Sequence, residues 1–283
     1  QTQVATVIPY FNRFIKNIPD LETLANFENH KLIKLWEGLG YYSRVRNLKK
    51  TAQIVVKKFD KKLPREYLEL KSLPGIGDYT ASAISAIAFN KRIIPLDGNI
   101  ERVLKRYLYL KKENEINKEN LIKKKEIFGY SSRASDYAQA LMELGALICK
   151  PSNPHCEQCP ISSKCIALKK KDFLLTKIKK KNNNKYYLLK VYKDKNKYLL
   201  IKNTKFNFLK NFSIFPMQEL SKPIRSIDIV NFKMSNMNMN IKIEHKNKVG
   251  SLPTSHWIDP KKLKNYTLPT FTKRIVRYLE SNK

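Results

Sequence analysis

The sequence has no apolar run that approaches the ~20 residues a membrane-spanning helix needs, which excludes such a span and predicts no membrane partner. It also lacks a signal-peptide pattern at Gln1, so a cytoplasmic setting is expected. The chain does not begin with Met, and its true start is expected to lie upstream. Acidic residues are scarce, with 24 Asp and Glu against 56 Lys and Arg, a net charge of +32. That imbalance favours a polyanionic partner bound through phosphate neutralisation. A compositional source competes, because Lys, Asn, Ile, Tyr and Phe are abundant together, as in an AT-rich coding sequence. Cysteine is nearly absent. The four cysteines, Cys149, Cys156, Cys159 and Cys165, fall within 17 residues at C-x6-C-x2-C-x5-C spacing. Clustering in one loop without a secretion signal reads as metal ligation rather than disulfides. Spacing alone leaves zinc and iron-sulfur both open.

What is present suggests two domains. The 283 residues are enough to bury a full core, and the 42% apolar content is ordinary for a globular protein. The first half predicts helices only. Val4, Val7, Ile8, Phe11, Phe14 and Ile15 form a helical stripe, with Pro9 at a kink or a start. Short helices follow from Asp20 to Phe27 and from Glu28 to Glu37, and Glu22, Glu28 and Glu37 read as solvated helix charges. Gly40 then breaks the helix and presents Tyr41, Tyr42 and Arg44 from a turn, before a helix to Phe59. Either tyrosine could equally pack into the core. Asn99 to Leu110, Asn117 to Phe128 and Ser132 to Ile148 complete the helices. Leu168 to Lys185 is rich in Lys and Asn and reads as a linker. Beyond it, 186–192 and 197–202 predict a β-hairpin, 212–215 and 240–244 further strands, and Thr272 to Leu279 a closing helix.

The most informative stretch is Leu73-Pro74-Gly75-Ile76-Gly77-Asp78-Tyr79-Thr80, followed by an apolar helix carrying Ala81, Ile84 and Ala88 on one face. Two helices joined by Pro-Gly-Ile-Gly make a tight hairpin. Glycines there expose backbone N–H groups at a positive helix start, which suits a phosphate. A plain helix-turn-helix corner is the alternative. Leu96-Asp97-Gly98-Asn99 follows, with Asp97 placed to cap the next helix.

The whole string, Leu-Pro-Gly-Ile-Gly-x-Tyr-Thr-Ala then Leu-Asp-Gly-Asn, resembles the helix-hairpin-helix DNA glycosylases of the endonuclease III-like superfamily, and within them the adenine DNA glycosylase family. The resemblance is strong from Gln1 to about Cys165 and weak from Tyr186 onward. It implies a mainly α fold, with a helix-hairpin-helix glycosylase domain over 1–167 and a 4Fe-4S loop over 149–165 held by Cys149, Cys156, Cys159 and Cys165. A linker at 168–185 and a small α+β Nudix-like lesion-recognition domain at 186–283 follow. The implied activity is base-excision repair, the removal of adenine mispaired with 8-oxoguanine or guanine, by a monomer acting on double-stranded DNA.

The resemblance also implies residue roles. Asp97 would stabilise the cationic sugar and help place the nucleophile. Tyr79 stands where bifunctional glycosylase/lyases carry a Schiff-base Lys, so the chain looks monofunctional. Leu73, Gly75, Gly77 and Asn99 would meet DNA, Tyr41 would wedge into the stack, and Lys150 and Lys164 could face phosphate. Three departures stand out. No Nudix hydrolase box is present, so pyrophosphate hydrolysis is not expected. Met234-Ser235-Asn236 replaces a Phe-Ser-His recognition element. The family's general-acid Glu lies just before a Gln-Gln-Thr-Gln motif, and this chain starts inside it at Gln1-Thr2-Gln3, so an N-terminal truncation is expected. Two alternatives remain, a thymine or uracil mismatch glycosylase and a non-catalytic DNA-binding module.

Overall fold

The computed structural model describes residues 4–174, 183–223, 229–234, 237–250, 252 and 254–281. Gln1 to Gln3, residues 175–182 of the expected linker, and Ser235 and Asn236 of the recognition element lie outside the described residues. The chain forms two compact units, Asn47–Lys179 and a discontinuous one joining Gln1–Arg46 to Lys180–Lys283. The expected linker contains one edge of this division. The other edge, at Asn47, was not expected, because the first 46 residues group with the sheet rather than with the remaining helices.

The discontinuous unit opens with α1 (Val4–Asn17), α2 (Leu21–Asn26) and α3 (Asn29–Leu35). Asp20 caps α2, its side chain accepting from the Thr23 N–H at 2.7 Å. Pro9 sits inside α1. The expected helical stripe falls on α1 but is largely uncovered: Ile8, Phe11 and Ile15 are exposed, and Phe14 packs edge-on to Trp36 with centroids 6.1 Å apart.

The rest of this unit is a seven-stranded sheet: β1 (Asn183–Asp194), β2 (Lys197–Lys202), β3 (Ser213–Ile214), β4 (Met217–Leu220), β5 (Ile229–Met234), β6 (Met237–Lys246) and β7 (Ser255–Ile258). The main order is β3-β2-β1-β6-β5, with β4 on β1 and β7 on β2. The predicted hairpin is present, its turn tightened to Lys195 and Asn196 because β1 runs on to Asp194. β1 and β6 pair in parallel, Tyr187 opposite Ile241 and Leu189 opposite Ile243. One face of the sheet buries Tyr187, Leu189, Val191, Leu200 and Ile241. Against it lies the closing helix α11 (Thr270–Ser281), which contributes Phe271, Ile275, Val276 and Leu279 at helical spacing. Burying four such side chains stabilises this layer by roughly 1.5–3 kcal/mol each.

The helical unit continues with α4 (Ser43–Lys58), which straddles the division, then α5 (Tyr67–Ser72), α6 (Asp78–Phe89), α7 (Gly98–Tyr107), α8 (Lys118–Lys124), α9 (Ala134–Glu143) and α10 (Ile166–Lys169). The packed face of α6 is Ala81, Ser82, Ser85 and Ala86, against α9 and α5. This corrects the expected Ala81–Ile84–Ala88 face, for Ala88 is exposed. Small residues at i and i+4 let helices approach closely. On α7, Ile100, Val103 and Leu104 face inward, Glu101 sits in the first turn, and Lys105 and Arg106 in the last, matching the macrodipole. Ile94, Ile100 and Leu141 form one small core, and Leu104, Leu110, Ile116 and Leu121 another.

Candidate active site

The hairpin between α5 and α6 is built as its sequence requires. Gly75 has φ +83°, and a Cβ there would meet Asn47 Cβ at 2.8 Å, so both the turn and the close approach need glycine. The Thr51 hydroxyl donates to the Pro74 carbonyl at 2.9 Å and ties the turn to α4. Gly77 is the N-cap of α6 and brings no capping side chain, and it and Gly75 are exposed. The first-turn amides of α6 therefore face outward without a side-chain cap. Leu73 is buried, so its side chain packs, and only its backbone is available to a ligand. Hydrogen-bonded ion pairs with Lys118 and Lys71 hold the Asp78 carboxyl well below the usual carboxylate range.

Asp97 is the N-cap of α7. Its Oδ1 accepts from the Asn99 N–H at 2.9 Å and the Ile100 N–H at 2.7 Å, and its Oδ2 from Asn99 Nδ2 at 3.2 Å. The capping expectation holds, and these donors fix the carboxylate in place. Tyr79 lies near enough that burial first, and the Asp97 charge second, raise its phenol above the usual range. The phenol stays protonated and is free to donate. It lines an open cavity with Glu101, Lys118 and Lys125. The Asn99 amide is engaged inward, Nδ2 on Asp97 and Oδ1 accepting from Arg102 Nη2 at 2.9 Å, so its side chain helps to hold Asp97.

Arg102 also donates to the carbonyls of Cys149 at 2.7 Å and Gly145 at 2.5 Å. Gly145 lies against Asn99 so closely that a Cβ would sit 2.6 Å from Asn99 Cβ. One turn further on, the Arg106 guanidinium donates to the Lys150 carbonyl at 2.6 Å and the Pro151 carbonyl at 2.8 Å, and lies 3.4 Å from Cys149 Sγ. Sequence reasoning missed both arginines. The available signal was their spacing: Asn99, Arg102 and Arg106 fall at i, i+3 and i+7, one stripe of α7.

The four cysteines follow a π-helical turn at Leu144–Ile148 and line one cavity, walled by Val103, Ile148, Ile161, Leu168 and Phe173. Burial pushes the Cys156 and Cys159 thiols up. Among the described residues, no three Cys, His, Asp or Glu side chains converge to hold a single metal ion. Four thiols around one apolar cavity, with a guanidinium beside them, are chemically suited to a metal group held by thiolates.

In the discontinuous unit, the Gly38–Ser43 turn separates the two tyrosines. Tyr41 is 56% exposed, with the Arg44 guanidinium 4.9 Å from its ring centroid. Tyr42 is buried and stacks on Phe212 at 4.4 Å. The alternatives left open by the sequence divide between them. Beside the turn is an open groove lined by Tyr41, Arg46, Phe208, Lys210, Lys233 and Arg274 among others.

The helical unit carries a glycine hairpin, a helix-capping aspartate and a four-cysteine loop. Residues 1–126 match the model of the HhH-GPD superfamily of base excision DNA repair proteins. The chain is similar to adenine DNA glycosylases. It is 42% identical to that of Buchnera aphidicola subsp. Baizongia pistaciae over 209 residues, 74% of this chain and 55% of that protein. It is 40% identical to the human one over 174 residues, 59% of this chain and 31% of that protein. The chain thus spans about half the length of the Buchnera relative and less of the human one. A thermostable thymine-DNA glycosylase superposes with a TM-score of 0.54 at 26% identity over 60% of this chain and 79% of its own. A trapped endonuclease III–DNA complex does so at 0.52 and 24% over the same shares, which supports the fold alone.

Proposed function

We propose that this protein removes adenine from DNA in which adenine is mispaired with 8-oxoguanine or guanine, and that it is monofunctional. The observation that carries the reading is the Asp97 carboxylate, held by two backbone amides and Asn99, beside a protonated Tyr79 phenol in a chain similar to adenine DNA glycosylases. Excision breaks the bond from C1′ of the sugar to N9 of adenine, and the electron pair leaves with the base as a ring nitrogen takes a proton from solvent. Positive charge grows on the sugar, where an ionised carboxylate stabilises it most, in the manner of a glycosidase. Water then adds at C1′ and gives up a proton, leaving an abasic site. Tyr79 donates to the sugar or its phosphate. It has no amine, so it forms no Schiff base, and the strand stays whole.

The hairpin amides at Gly75 and Gly77 bind a backbone phosphate, and Tyr41 wedges into the stack as the adenine flips out. The second unit is Nudix-like, and its basic, aromatic groove beside Tyr41 receives the opposite base. Cys149, Cys156, Cys159 and Cys165 would hold a 4Fe-4S cluster, which when bound would order the loop to which Arg102 and Arg106 donate. The reading is tested with duplexes carrying adenine opposite 8-oxoguanine, opposite guanine and opposite thymine, beside a guanine–thymine duplex. Adenine release from the first two, with strand breaks only after alkali or heat, is expected. Thymine release from the last would point to a thymine mismatch glycosylase instead.

A further inference from the structure

Glu37 was expected to be a solvated helix charge. It is the opposite: its side chain is 12% exposed and receives three donors. Lys273 Nζ lies 2.6 Å from Oε1, the Leu268 N–H donates to the same oxygen at 3.2 Å, and Lys34 Nζ lies 2.7 Å from Oε2. Leu268 is buried in the sheet core, and Lys273 follows Phe271 and Thr272, both buried on α11. The far end of this ion pair is therefore rigid. Its near end is the residue just before the turn that carries Tyr41.

That turn is held on its other side too. Tyr42 stacks on Phe212, Arg46 Nη2 donates to the Lys210 carbonyl at 2.9 Å, and the Arg46 guanidinium covers the Phe212 ring at 5.2 Å. Across the turn, Trp36 Nε1 donates to the Gly40 carbonyl at 3.0 Å. Between these anchors Tyr41 has φ 45°, a conformation that a non-glycine residue keeps only when its surroundings impose it. The ring left projecting is the one assigned to wedge into DNA.

We propose that the Glu37–Lys273 ion pair is a latch through which the C-terminal helix holds the Tyr41 turn in its wedging conformation, and so sets discrimination between mispaired and matched DNA. Glu37 and Lys273 are positioning residues, and neither needs to touch DNA for this effect. The proposal rests on the reading of Tyr41 as the wedge. A mispair offers a distorted step where a preformed wedge enters, whereas matched duplex is bound through phosphates alone. Releasing the turn lowers affinity for the mispair while leaving the electrostatic affinity for matched DNA nearly unchanged.

The test measures binding to a duplex with adenine opposite 8-oxoguanine and to its matched counterpart, by fluorescence anisotropy at fixed salt. The readout is the ratio of the two affinities, which cancels the loss of one surface cation. Lys273→Met is expected to lower the ratio about three- to tenfold, the range for a coupling contact. Lys273→Arg should keep it, and Glu37→Gln, which preserves the acceptor but not the charge, should lower it if Lys273→Met fails to fold. Tyr41→Ala should lower the ratio by itself, and adding Lys273→Met to it should do nothing more. A folded Lys273→Met with the parental ratio overturns the latch, as does a loss that persists in the Tyr41→Ala background. A parental ratio in Tyr41→Ala alone overturns the wedge reading instead, so the two failures are told apart.

Discussion

Replacing Arg102 with Met removes four hydrogen bonds and keeps most of the aliphatic stem. The guanidinium reaches the carbonyls of Cys149, Gly145 and Gly98 and the Asn99 side chain. Cys149 and Gly145 lose partly buried donors, and an acceptor left without one costs about 1–3 kcal/mol, so a loss of roughly 2–4 kcal/mol in unfolding free energy is expected. The effect on catalysis is separate. With Oδ1 unpinned, the Asn99 amide can rotate, and Asp97 loses its Nδ2 donor while keeping both backbone amides. Removing a partner that orients a functional side chain typically lowers activity about 10- to 100-fold. Urea denaturation gives the first number, and single-turnover adenine release under saturating protein gives the second. A variant destabilised as expected but releasing adenine at the parental rate would refute the claim that Arg102 orients Asp97 through Asn99.

Three further outcomes are expected. Protein purified without air from iron-replete cells should be brown, with about four irons per chain, and stoichiometric zinc in its place would rule out the cluster. Gly75→Ala should weaken binding to matched and mispaired duplex alike, because alanine disfavours φ +83° and its Cβ meets Asn47, and equal binding by the variant would remove the hairpin from the interface. Hydrogen-bonded lysines hold the Glu37 carboxyl below its ordinary 4.5 although burial opposes them, so its contribution is complete above that pH and is lost as pH falls further. Glu37→Gln should therefore lower unfolding free energy at pH 7, with the gap to the parent closing as pH falls below 4.5 and through the lowered folded-state value. A gap that stays constant through acid would mean the charge contributes nothing.

Local chemistry made part of this legible in the sequence. A glycine that needs positive φ, an aspartate before Gly-Asn at a helix start, and two apolar runs joined by a short polar turn each carry their own signal, and Gly75, Asp97 and the β1–β2 pair sit where those signals put them. Partnership across the chain left no such mark. Glu37 looked like any solvated glutamate because Lys273 lies 236 positions away. The stripe on α1 had the right period for burial, yet Ile8, Phe11 and Ile15 stay exposed, since periodicity describes a face and not what covers it. The short strands β4 and β7, of four residues each, are too brief to show alternation and form because β1 and β2 offer them an edge. Asn99 had a motif position but no visible orientation, and only the arginine stripe of α7 shows that its amide points inward.

The central claim is that the charge of Asp97, and not its capping geometry, drives release of the base. Asp97→Asn separates the two, because asparagine keeps an Oδ1 to accept from the Asn99 and Ile100 amides and is as good an N-cap, giving up only the Asn99 Nδ2 donor. The measurement is single-turnover adenine release from a duplex with adenine opposite 8-oxoguanine, with binding to that duplex followed alongside. The expected result is parental binding and a rate lower by at least about 10²-fold, the scale set by losing one electrostatic stabiliser of a charged transition state. Release by Asp97→Asn at the parental rate would contradict the account.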